Sequence, residues 1–351
     1  MSKQTCGCTS RQIGRKSTEA AQLSPQIRTT TWKTSNKELK DHLLARWGVY
    51  RLNHRVQPGL YALGKPTPAS PVFVSANYTL SFDTLRTSLK KTDAYILVID
   101  TQGVNVWCAA GKGTFGTDEI VSKIQTTNLA NVVSHRKLIL PQLGAPGVNS
   151  FEVEKQSGFK VEYGPVRASD LPEYLRTGEA TPDMRRVKYT LKDRVVLIPV
   201  ELTAALIPLA VGIAALYLFG GVYPALAFAV ATLAGTALFP IILPWLPTKD
   251  FSSKGLILGT LFALPFTAIA VLTFPNSNLW LRASAGVAYI LLMAPLTAYY
   301  SLNFTGSTTF TSRTGVKKEI FRYIPVMVGL GILGGIIAIL SVTIHFLGGA
   351  V

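Results

Sequence analysis

The second half of the chain carries very few charges. Positions 195–351 hold seven basic and three acidic residues in 157 positions, whereas the first 194 positions hold 28 basic and 16 acidic residues. A soluble globule cannot cover its surface with so few charged side chains, so this half must face lipid. A purely cytosolic enzyme is therefore excluded. Three cysteines are also too few for a secreted domain held together by disulfides.

Five apolar stretches in this half reach the roughly 20 residues that a helix needs to cross a bilayer. They occupy positions 197–219, 222–243, 255–274, 281–300 and 324–346, and Pro240 and Pro244 interrupt the second. Lys and Arg cluster before the first stretch, after the second and before the fifth, whereas the opposite side has only Arg282. This asymmetry predicts a multi-pass protein of the cytoplasmic membrane, with a cytoplasmic N-terminal domain and the C-terminus outside.

The sequence thus predicts an all-α transmembrane domain of five helices at 197–351, and it leaves two uses of that domain open. One is an anchor or scaffold, and the other is a path for an ion or metal. Glu201 and His345 are the polar candidates within the spans, but neither has an obvious charged partner in another span. Gly331 and Gly335 form a G-x-x-x-G pattern, which predicts close helix packing.

The first half divides by composition into an arm, a folded domain and a linker. Positions 1–38 are predicted to be a mobile polar and basic arm, 39–180 a cytoplasmic domain and 181–196 a basic linker. After a helix at 38–47, apolar strands at 71–77, 94–100, 137–140 and 160–162 alternate with helices at 82–89, 118–125, 150–157 and 170–175. This alternation predicts an α/β domain with a mainly parallel sheet that is covered on both faces.

Ligands of such folds bind beyond the carboxyl ends of the strands. The loops there are 75–79, 101–117, 141–149 and 163–169, and all four are rich in small, polar, Gly or Pro residues. We therefore expect a binding site where these four loops meet. The net charge of +16 does not require a nucleic acid, because the basic residues are dispersed and flank the predicted membrane spans.

The loop that follows Asp100 is the most informative segment. It contains Gly111-Lys-Gly-Thr-Phe-Gly116, but this match starts too far from the strand for a dinucleotide fingerprint, and a P-loop would need Ser or Thr at Gly113. Thr117 is predicted to cap the helix that follows. The four histidines of the chain are scattered, so neither Cys–His catalysis nor a zinc site is supported.

Cys108 is the remaining candidate, as the one cysteine of the predicted folded domain. A lone cysteine is more often a small buried side chain than a reactive one. A single soft thiolate on a Gly- and Ala-rich loop nevertheless suits one axial bond to a metal whose other ligands belong to a macrocycle. Cys6 and Cys8 in the arm can bind a soft metal such as Hg(II), but a free and functionally neutral pair is favoured because no second ligand pair follows.

The segment Asn105-Val-Trp-Cys-Ala-Ala-Gly-Lys112 resembles the signature of the corrinoid protein of the mercury-methylating pair of anaerobic microbes. The soluble domain of that family is related to the corrinoid-binding domain of the corrinoid iron–sulfur protein of the acetyl-CoA pathway. The resemblance runs over about 71–175, with further matching pieces at 71–78, 103–117, 141–147 and 163–170. Five membrane spans behind the soluble domain are also similar to the mercury family.

The resemblance implies a Rossmann-like corrinoid-binding domain in which Cys108 is the lower axial ligand to the cobalt of cobalamin. It also implies a membrane-anchored methyltransferase that passes the methyl group of thiolate-ligated methylcobalamin to Hg(II) and forms methylmercury. Hg(II) is an electrophile and needs a methyl carbanion equivalent, or a radical followed by an electron. A thiolate that stabilises cobalt(III) favours the carbanion route. The alternatives are a corrinoid methyl carrier for another acceptor, with mercury methylation a side reaction, and a transporter with a regulatory domain.

By the same resemblance, four loops contact the corrin ring. They are expected to contribute Ser75, Ala76, Asn77, Tyr78, Asn105, Val106, Trp107, Cys108, Ala109, Ala110, Gly111, Lys112, Gly113, Thr114, Phe115, Gln142, Leu143, Gly144, Ala145, Gly147, Tyr163, Gly164, Pro165 and Arg167. For four of these, a role in the fold alone remains open: Trp107, Lys112, Tyr78 and Arg167.

The turnover cycle implies partners. Three cysteines cannot ligate a [4Fe–4S] cluster, which needs four, so no iron–sulfur cluster is expected in this chain. The resemblance supplies a ferredoxin-like [4Fe–4S] protein as reductant and a methyltetrahydrofolate-linked methyl donor, beside Hg(II) and membrane lipid. A homo-oligomer is left open, and no nucleic acid is expected.

Overall fold

Two kinds of structure follow one another along the chain. The computed structural model describes residues 26–51, 53–273, 278–308 and 313–348. The N-terminal part is a mixed α/β domain, and the C-terminal part consists of helices. Cys6, Cys8 and most of the predicted arm lie outside the described residues.

The α/β domain is built on a six-stranded sheet with strand order β1-β2-β4-β3-β5-β6. The strands are β1 Ile27–Thr30, β2 Gly59–Leu63, β3 Val72–Ala76, β4 Ala94–Ile99, β5 Lys137–Leu140 and β6 Lys160–Tyr163. All neighbours are parallel except β2 and β4, which are antiparallel. The predicted mainly parallel sheet is therefore confirmed.

Apolar side chains cover both faces of the sheet. Leu97, Ile120 and Phe159 belong to the core on one face, and Phe73, Ile96 and Leu89 belong to the core on the other. The flanking helices are α1 Asn36–Arg46, α2 Thr79–Ser88, α3 Val106–Lys112, α4 Thr117–Thr126, α5 Leu129–Val132, α6 Ser150–Ser157 and α7 Leu171–Thr177.

Strands β1 and β2 were not expected from the sequence. Ile27–Thr30 lies in the segment predicted to be a mobile arm, yet it pairs with β2 at the edge of the sheet. An edge strand of this length is held by backbone hydrogen bonds and carries little hydrophobic pattern, so its sequence gives a weak signal.

The segment 101–117 was predicted to be a loop, but it contains α3. The side chain of Asn105 caps this helix by accepting a hydrogen bond from the Cys108 N–H, and Gly113 ends it with φ +86°. The predicted cap at Thr117 is also wrong. Gly116 occupies the cap position of α4, and the Thr117 hydroxyl instead accepts a hydrogen bond from the Asn149 N–H at 2.9 Å.

The C-terminal part contains five helices that are long and apolar enough to cross a membrane, in agreement with the predicted number. Their bounds are Leu191–Gly220, Val222–Trp245, Phe251–Leu272, Leu279–Ser307 and Thr314–Ile344. The first is formed by α8 Leu191–Val195 and α9 Ile198–Gly220, so helical structure begins within the predicted linker. The last three correspond to α12 Phe251–Thr273, α13 Leu279–Ser307 and α14 Arg313–Gly348.

The second long helix departs from α geometry near its prolines. It passes from α10 Val222–Leu233 through a π-helical turn at Ala234–Leu238 into α11 Phe239–Ile242, and it ends in a 3₁₀ turn at Leu243–Trp245. The buried Arg194 guanidinium donates to the carbonyl oxygens of Pro240 and Ile241 at 3.0 and 2.7 Å. These bonds satisfy backbone groups that an irregular helix leaves free.

Small residues bring α12 and α13 close together. A Cβ atom at Gly255 or Gly259 would lie only 2.5 or 2.7 Å from the Cα of Ala298 or Ala294. At Gly331 and Gly335 a Cβ atom would meet nothing within 4 Å among the described residues, so this pair brings no other helix of the chain close. The pattern alone does not determine which face of a helix meets a neighbour.

A buried cluster of charges joins α1 and α2. The Arg86 side chain is almost completely buried and contacts Asp83 at 2.6 Å and Glu38 at 2.8 Å. It also donates to the carbonyl oxygens of Thr31 and Lys33 at 2.6 and 2.5 Å. Arg86 therefore connects α2, α1 and the segment after β1.

We predict that Arg86→Met lowers the free energy of unfolding of the α/β domain by about 3–5 kcal/mol, because it leaves the buried Asp83 carboxylate without its cation. The matched control is Lys155→Met, which removes an exposed ion pair at 3.9 Å and is expected to cost at most about 1 kcal/mol. Urea unfolding of the full chain in detergent measures both. Equal losses in the two variants would contradict the prediction.

Glu38 makes the stability of this cluster depend on pH. Burial raises the pKa of Glu38, but hydrogen bonds from Ser35 and the Arg86 guanidinium outweigh burial, so the pKa lies below its ordinary value. A depressed carboxyl pKa stabilises the fold above the unfolded pKa of about 4.3, and this stabilisation is lost as the pH falls through the folded value. We predict that Glu38→Gln flattens the loss of stability below about pH 4.3, as measured by urea unfolding at a series of pH values. An unchanged slope would show that Glu38 does not contribute.

Candidate functional site

A cavity of about 910 Å³ lies at the carboxyl ends of the parallel strands. All four predicted loops reach it, which brings together the segments that the sequence placed at this edge of the sheet. Of the predicted site residues, those that line it are Ser75, Tyr78, Asn105, Val106, Trp107, Cys108, Lys112, Leu143, Gly164 and Pro165. Its volume is near the upper end of the range for small-molecule and cofactor sites, about 300–1,000 Å³.

Helix α3 presents Cys108 to this cavity and buries its opposite side. The Cys108 N–H donates to Asn105 Oδ1 at 2.9 Å, which fixes the first turn of the helix. Cys108 itself is half-buried and lines the cavity, whereas Ala109 and Ala110 are buried in the core. The two alanines are therefore small because they pack against the sheet, and the structure places neither beside the cavity.

The buried Asn77 side chain positions the segment that leads into α3. Its Oδ1 accepts hydrogen bonds from the N–H groups of Thr101 and Gly103, both at 3.0 Å, and from the Thr101 hydroxyl at 2.9 Å. Its Nδ2 donates to Asp100 Oδ1 at 2.9 Å. Asn77 thus uses its amide to join the end of β3 to the chain that leaves β4.

The other support of α3 is the 3₁₀ turn Gln142–Gly147. A Cβ atom at Gly144 would lie 2.6 Å from the Phe115 ring, and one at Gly147 would lie 2.3 Å from the Phe115 carbonyl oxygen and 2.9 Å from the Cα of Ala110. Phe115 is fully buried. These glycines therefore allow the turn to approach the backbone beside Cys108.

Several other predicted site residues make contacts away from the cavity. Arg167 pairs with Asp193 at 2.5 Å, and Gln142 Oε1 accepts from Arg185 at 2.9 Å. Tyr163 donates to the Val148 carbonyl oxygen at 3.0 Å. The predicted residues that do not line the cavity also include Ala76, Gly111, Gly113, Thr114 and Ala145. Their contact with a cofactor stays a prediction.

The helical C-terminal part also contributes to the cavity, which was not expected from the sequence. Val196, Leu197 and Val200 from the start of the first long helix line it, together with Ser307 from the end of the fourth. No local motif marks these residues, because the contact exists only after the two halves have packed together.

The cavity is electropositive. Arg46, Arg51 and Lys112 line it, and no acidic residue does so in the described part of the chain. Burial raises the pKa of Tyr78 above its ordinary value, while the nearby Arg46 and Arg51 guanidinium groups oppose this rise. Arg46 ends α1 and Arg51 lies five residues farther along the chain, so no contiguous basic motif marked them in the sequence.

The donor set around Cys108 limits what the site can hold. Within the described ranges, no group of three or more His, Cys, Asp or Glu side chains is placed to hold a metal ion. Cys108 can supply one soft bond to a metal whose other ligands come from elsewhere. The volume and the largely apolar walls suit a large ring-shaped cofactor better than a bare ion.

Comparison with known proteins identifies the relatives of this domain. Residues 38–175 match the CdhD family, described as CO dehydrogenase/acetyl-CoA synthase delta subunit. This match includes the region 71–175, so the predicted relation to the proteins of the acetyl-CoA pathway is confirmed at the level of the domain. The helices that follow lie outside it.

Individual relatives agree with this assignment. The gamma subunit of the acetyl-CoA decarbonylase/synthase complex of Methanopyrus kandleri is 35% identical over 122 residues, which cover 34% of this chain and 26% of the relative. The corresponding subunit of Methanothermobacter thermautotrophicus is 34% identical over 143 residues, or 39% of this chain and 31% of the relative. The corrinoid/iron-sulfur protein large subunit of Moorella thermoacetica is 29% identical over 153 residues, which cover 41% of this chain and 34% of the relative. The chain thus spans only about a quarter to a third of these relatives.

We predict that Gly147→Ala destabilises the α/β domain by about 1–3 kcal/mol even without any cofactor, because the added methyl group meets backbone atoms of Phe115 and Ala110. The matched control is Gly111→Ala, where a Cβ atom meets nothing within 4 Å and a helical alanine is favourable. Thermal unfolding of the cofactor-free chain measures both. If Gly147→Ala changes only cofactor binding, the glycine serves the ligand and not the packing.

Proposed function

We propose that residues 39–180 form a Rossmann-like corrinoid-binding domain and that the chain is a membrane-anchored methyltransferase that forms methylmercury from Hg(II). The observation that carries the proposal is the placement of Cys108, the one cysteine of the described residues, on the wall of a large cavity at the strand ends. The relatives that match residues 38–175 include a corrinoid/iron-sulfur protein, which supports the corrinoid part.

The residues present fit a corrinoid. The ring would supply most of the ligands of its cobalt, and Cys108 would offer the donor that the protein has to add. The walls combine apolar groups such as Leu143 and Pro165 with polar groups such as Ser75, which suits a large ring with a polar edge.

The bound corrinoid would supply a cobalt centre that carries the methyl group. Cys108 would hold the cobalt as a thiolate, because a thiol that coordinates a metal is deprotonated. Asn105 fixes the helical turn that carries Cys108, and Asn77 fixes the chain that leads into it. The soft, electron-rich sulfur of Cys108 would make the group a better methyl donor to an electrophile such as Hg(II).

The thiol distinguishes the mercury proposal from a general methyl carrier. A corrinoid protein that gives its methyl group to a nucleophile has no need of a strong thiolate donor, whereas such a donor would favour transfer to Hg(II). The alternative is a corrinoid carrier for another acceptor, with mercury methylation as a side reaction, and the names of the relatives favour that general class. A transporter with a regulatory domain would not need Cys108 on this cavity.

The five long helices would place the site at the cytoplasmic face of the membrane. Lys and Arg flank the ends of the helices on the side of the α/β domain, as expected for a cytoplasmic location. Because Val196, Leu197 and Val200 line the cavity, the membrane half would complete the site as well as anchor it.

The proposed cycle requires partners. Three cysteines in the whole chain are fewer than the four that a [4Fe–4S] cluster needs, so a separate ferredoxin-like protein would return the cobalt to its reduced state. A methyltetrahydrofolate-linked protein would supply the methyl group. Nucleic acid has no part in this cycle.

The test is the anaerobic absorption spectrum of the purified full chain reconstituted with cobalamin, compared between the native chain and Cys108→Ala. We expect the native chain to bind cobalamin in a base-off form, and we expect its cobalt bands to shift in Cys108→Ala because the sulfur donor is lost. The matched control is Cys6→Ala/Cys8→Ala, which removes two thiols outside the described residues and is expected to leave the spectrum unchanged.

Methylmercury formation with and without Hg(II), in the presence of methyl donor and reductant, separates the two methyl-transfer functions. We expect methylmercury from the native chain and a loss of at least tenfold in Cys108→Ala, which corresponds to about 1.4 kcal/mol in the barrier. A cobalamin-bound chain that forms no methylmercury would favour the carrier for another acceptor. A native chain that binds no cobalamin would overturn the corrinoid proposal altogether.

A further inference from the structure

Helix α1 is attached to the α/β domain by its polar side. Glu38 contacts Arg86 at 2.8 Å, and the His42 ring contacts the buried Asp83 at 2.6 Å. Asp41 contacts the buried His54 ring at 2.7 Å. The helix is therefore fixed in orientation by three polar contacts that all lie on the side facing the domain.

The opposite side of α1 is apolar and exposed. Leu39, Leu43, Trp47 and Tyr50 are 55%, 59%, 45% and 74% exposed. The spacing of four residues places Leu39, Leu43 and Trp47 on one side of α1 and its C-cap, and Tyr50 follows in the turn after the helix. A helix of a soluble domain normally shows the reverse arrangement, with its apolar stripe against the core. A continuous exposed stripe of this kind marks a surface that is covered by something else.

The position of the stripe indicates what covers it. Immediately after α1, a Cβ atom at Gly48 would lie 2.9 Å from a methyl group of Val200, in the first long helix. Farther along that same helix, Ile207 and Val211 are exposed apolar side chains. The end of α1 thus lies beside the start of a long helix whose exposed side chains are apolar.

The chemistry of the stripe and its borders also fits a bilayer surface. Trp47 and Tyr50 have apolar rings with one polar atom, and such residues are enriched where hydrocarbon meets headgroups. Lys40 and Arg46 lie on the two sides of the stripe by their helical positions. Long basic side chains at these borders reach anionic headgroups while their methylene groups cover apolar surface.

We propose that α1, with Trp47 and Tyr50, lies in the lipid interface beside the first membrane helix and binds the bilayer surface through Leu39, Leu43, Trp47 and Tyr50. This inference rests on the proposed insertion of the five long helices into a membrane. Ala45 and Arg46 line the cavity beside Cys108, so the contact of α1 with lipid also holds one wall of the candidate site.

The test is the immersion depth of spin labels on the full chain in lipid bilayers. Single cysteines are placed as Leu43→Cys, Ile207→Cys and Phe151→Cys in a chain that carries Cys6→Ser, Cys8→Ser and Cys108→Ala. Phe151 is 72% exposed on α6 and serves as the matched control for an apolar side chain in water, and Ile207 is the control for lipid. Accessibility to oxygen, which enters the bilayer, is compared with accessibility to a water-soluble nickel chelate.

We expect the oxygen-to-nickel ratio at position 43 to lie between the ratios at 207 and 151, because an interfacial helix is shallower than a spanning one. A nickel-accessible label at 43, equal to that at 151, overturns the inference. A label protected from both reagents also overturns it, because protein and not lipid then covers the stripe. A nickel-accessible label at 207 contradicts the membrane insertion itself, so the two failures are distinguishable.

A second measurement keeps all three native cysteines. Lipids that carry a fluorescence quencher near the headgroup are used with the native chain and with Trp47→Phe. The fluorescence that is lost in Trp47→Phe belongs to Trp47, and we expect the absolute fluorescence intensity removed by the quencher to be smaller in the variant. An unchanged quenched intensity would show that Trp47 does not contact lipid.

Discussion

The buried Asn77 side chain holds the end of β3 and the chain that leaves β4 at a fixed distance. It satisfies two backbone N–H groups and one hydroxyl group on the segment 101–103, and it donates to Asp100. An amide is suited to this task because it can accept and donate at the same time. The direction in which α3 leaves the sheet, and therefore the position of Cys108, depends on these bonds. Phe115 and the glycines of the 3₁₀ turn then fix how closely α3 packs against that turn.

Side-chain hydrogen bonds and ion pairs also join the two halves of the chain. Arg167 pairs with Asp193 and Gln142 accepts from Arg185, so two loops at the cavity edge of the sheet are tied to the segment that leads into the first long helix. Arg194 then donates to the carbonyl oxygens of Pro240 and Ile241 in the second long helix. Because the loops that form the cavity also bind the segment before the first long helix, residues of that helix are brought to the cavity wall.

Sequence patterns predicted the parts of the structure that local physics determines. Apolar runs marked β3 to β6 and the five long helices, and the topology of a parallel sheet then predicted that the loops after those strands meet. Helix α3 was missed because it has only seven residues, including glycine, although Asn105 and Gly113 are good end signals.

Local sequence patterns could not predict contacts between segments that are distant in the chain. The small residues beside Cys108 were predicted to make room for a ring, but Ala109, Ala110 and Gly147 are small because the backbone packs closely there. Nothing local distinguishes these two reasons, since both require the absence of a large side chain. Arg46 and Val200 line the cavity only because α1 and the first long helix meet at Gly48.

The orientation of α1 links the α/β domain to the long helices. Glu38 and His42 of this helix face inward, toward Arg86 and Asp83, whereas Leu39 and Leu43 are exposed, and Gly48 just after the helix lies beside Val200. Ion pairs hold a helix in place firmly when the partner charges are buried, and the partners Asp83 and Arg86 are both buried. The α/β domain is therefore shaped to lie against an apolar surface, and the cavity beside Cys108 is enclosed by elements from both halves of the chain.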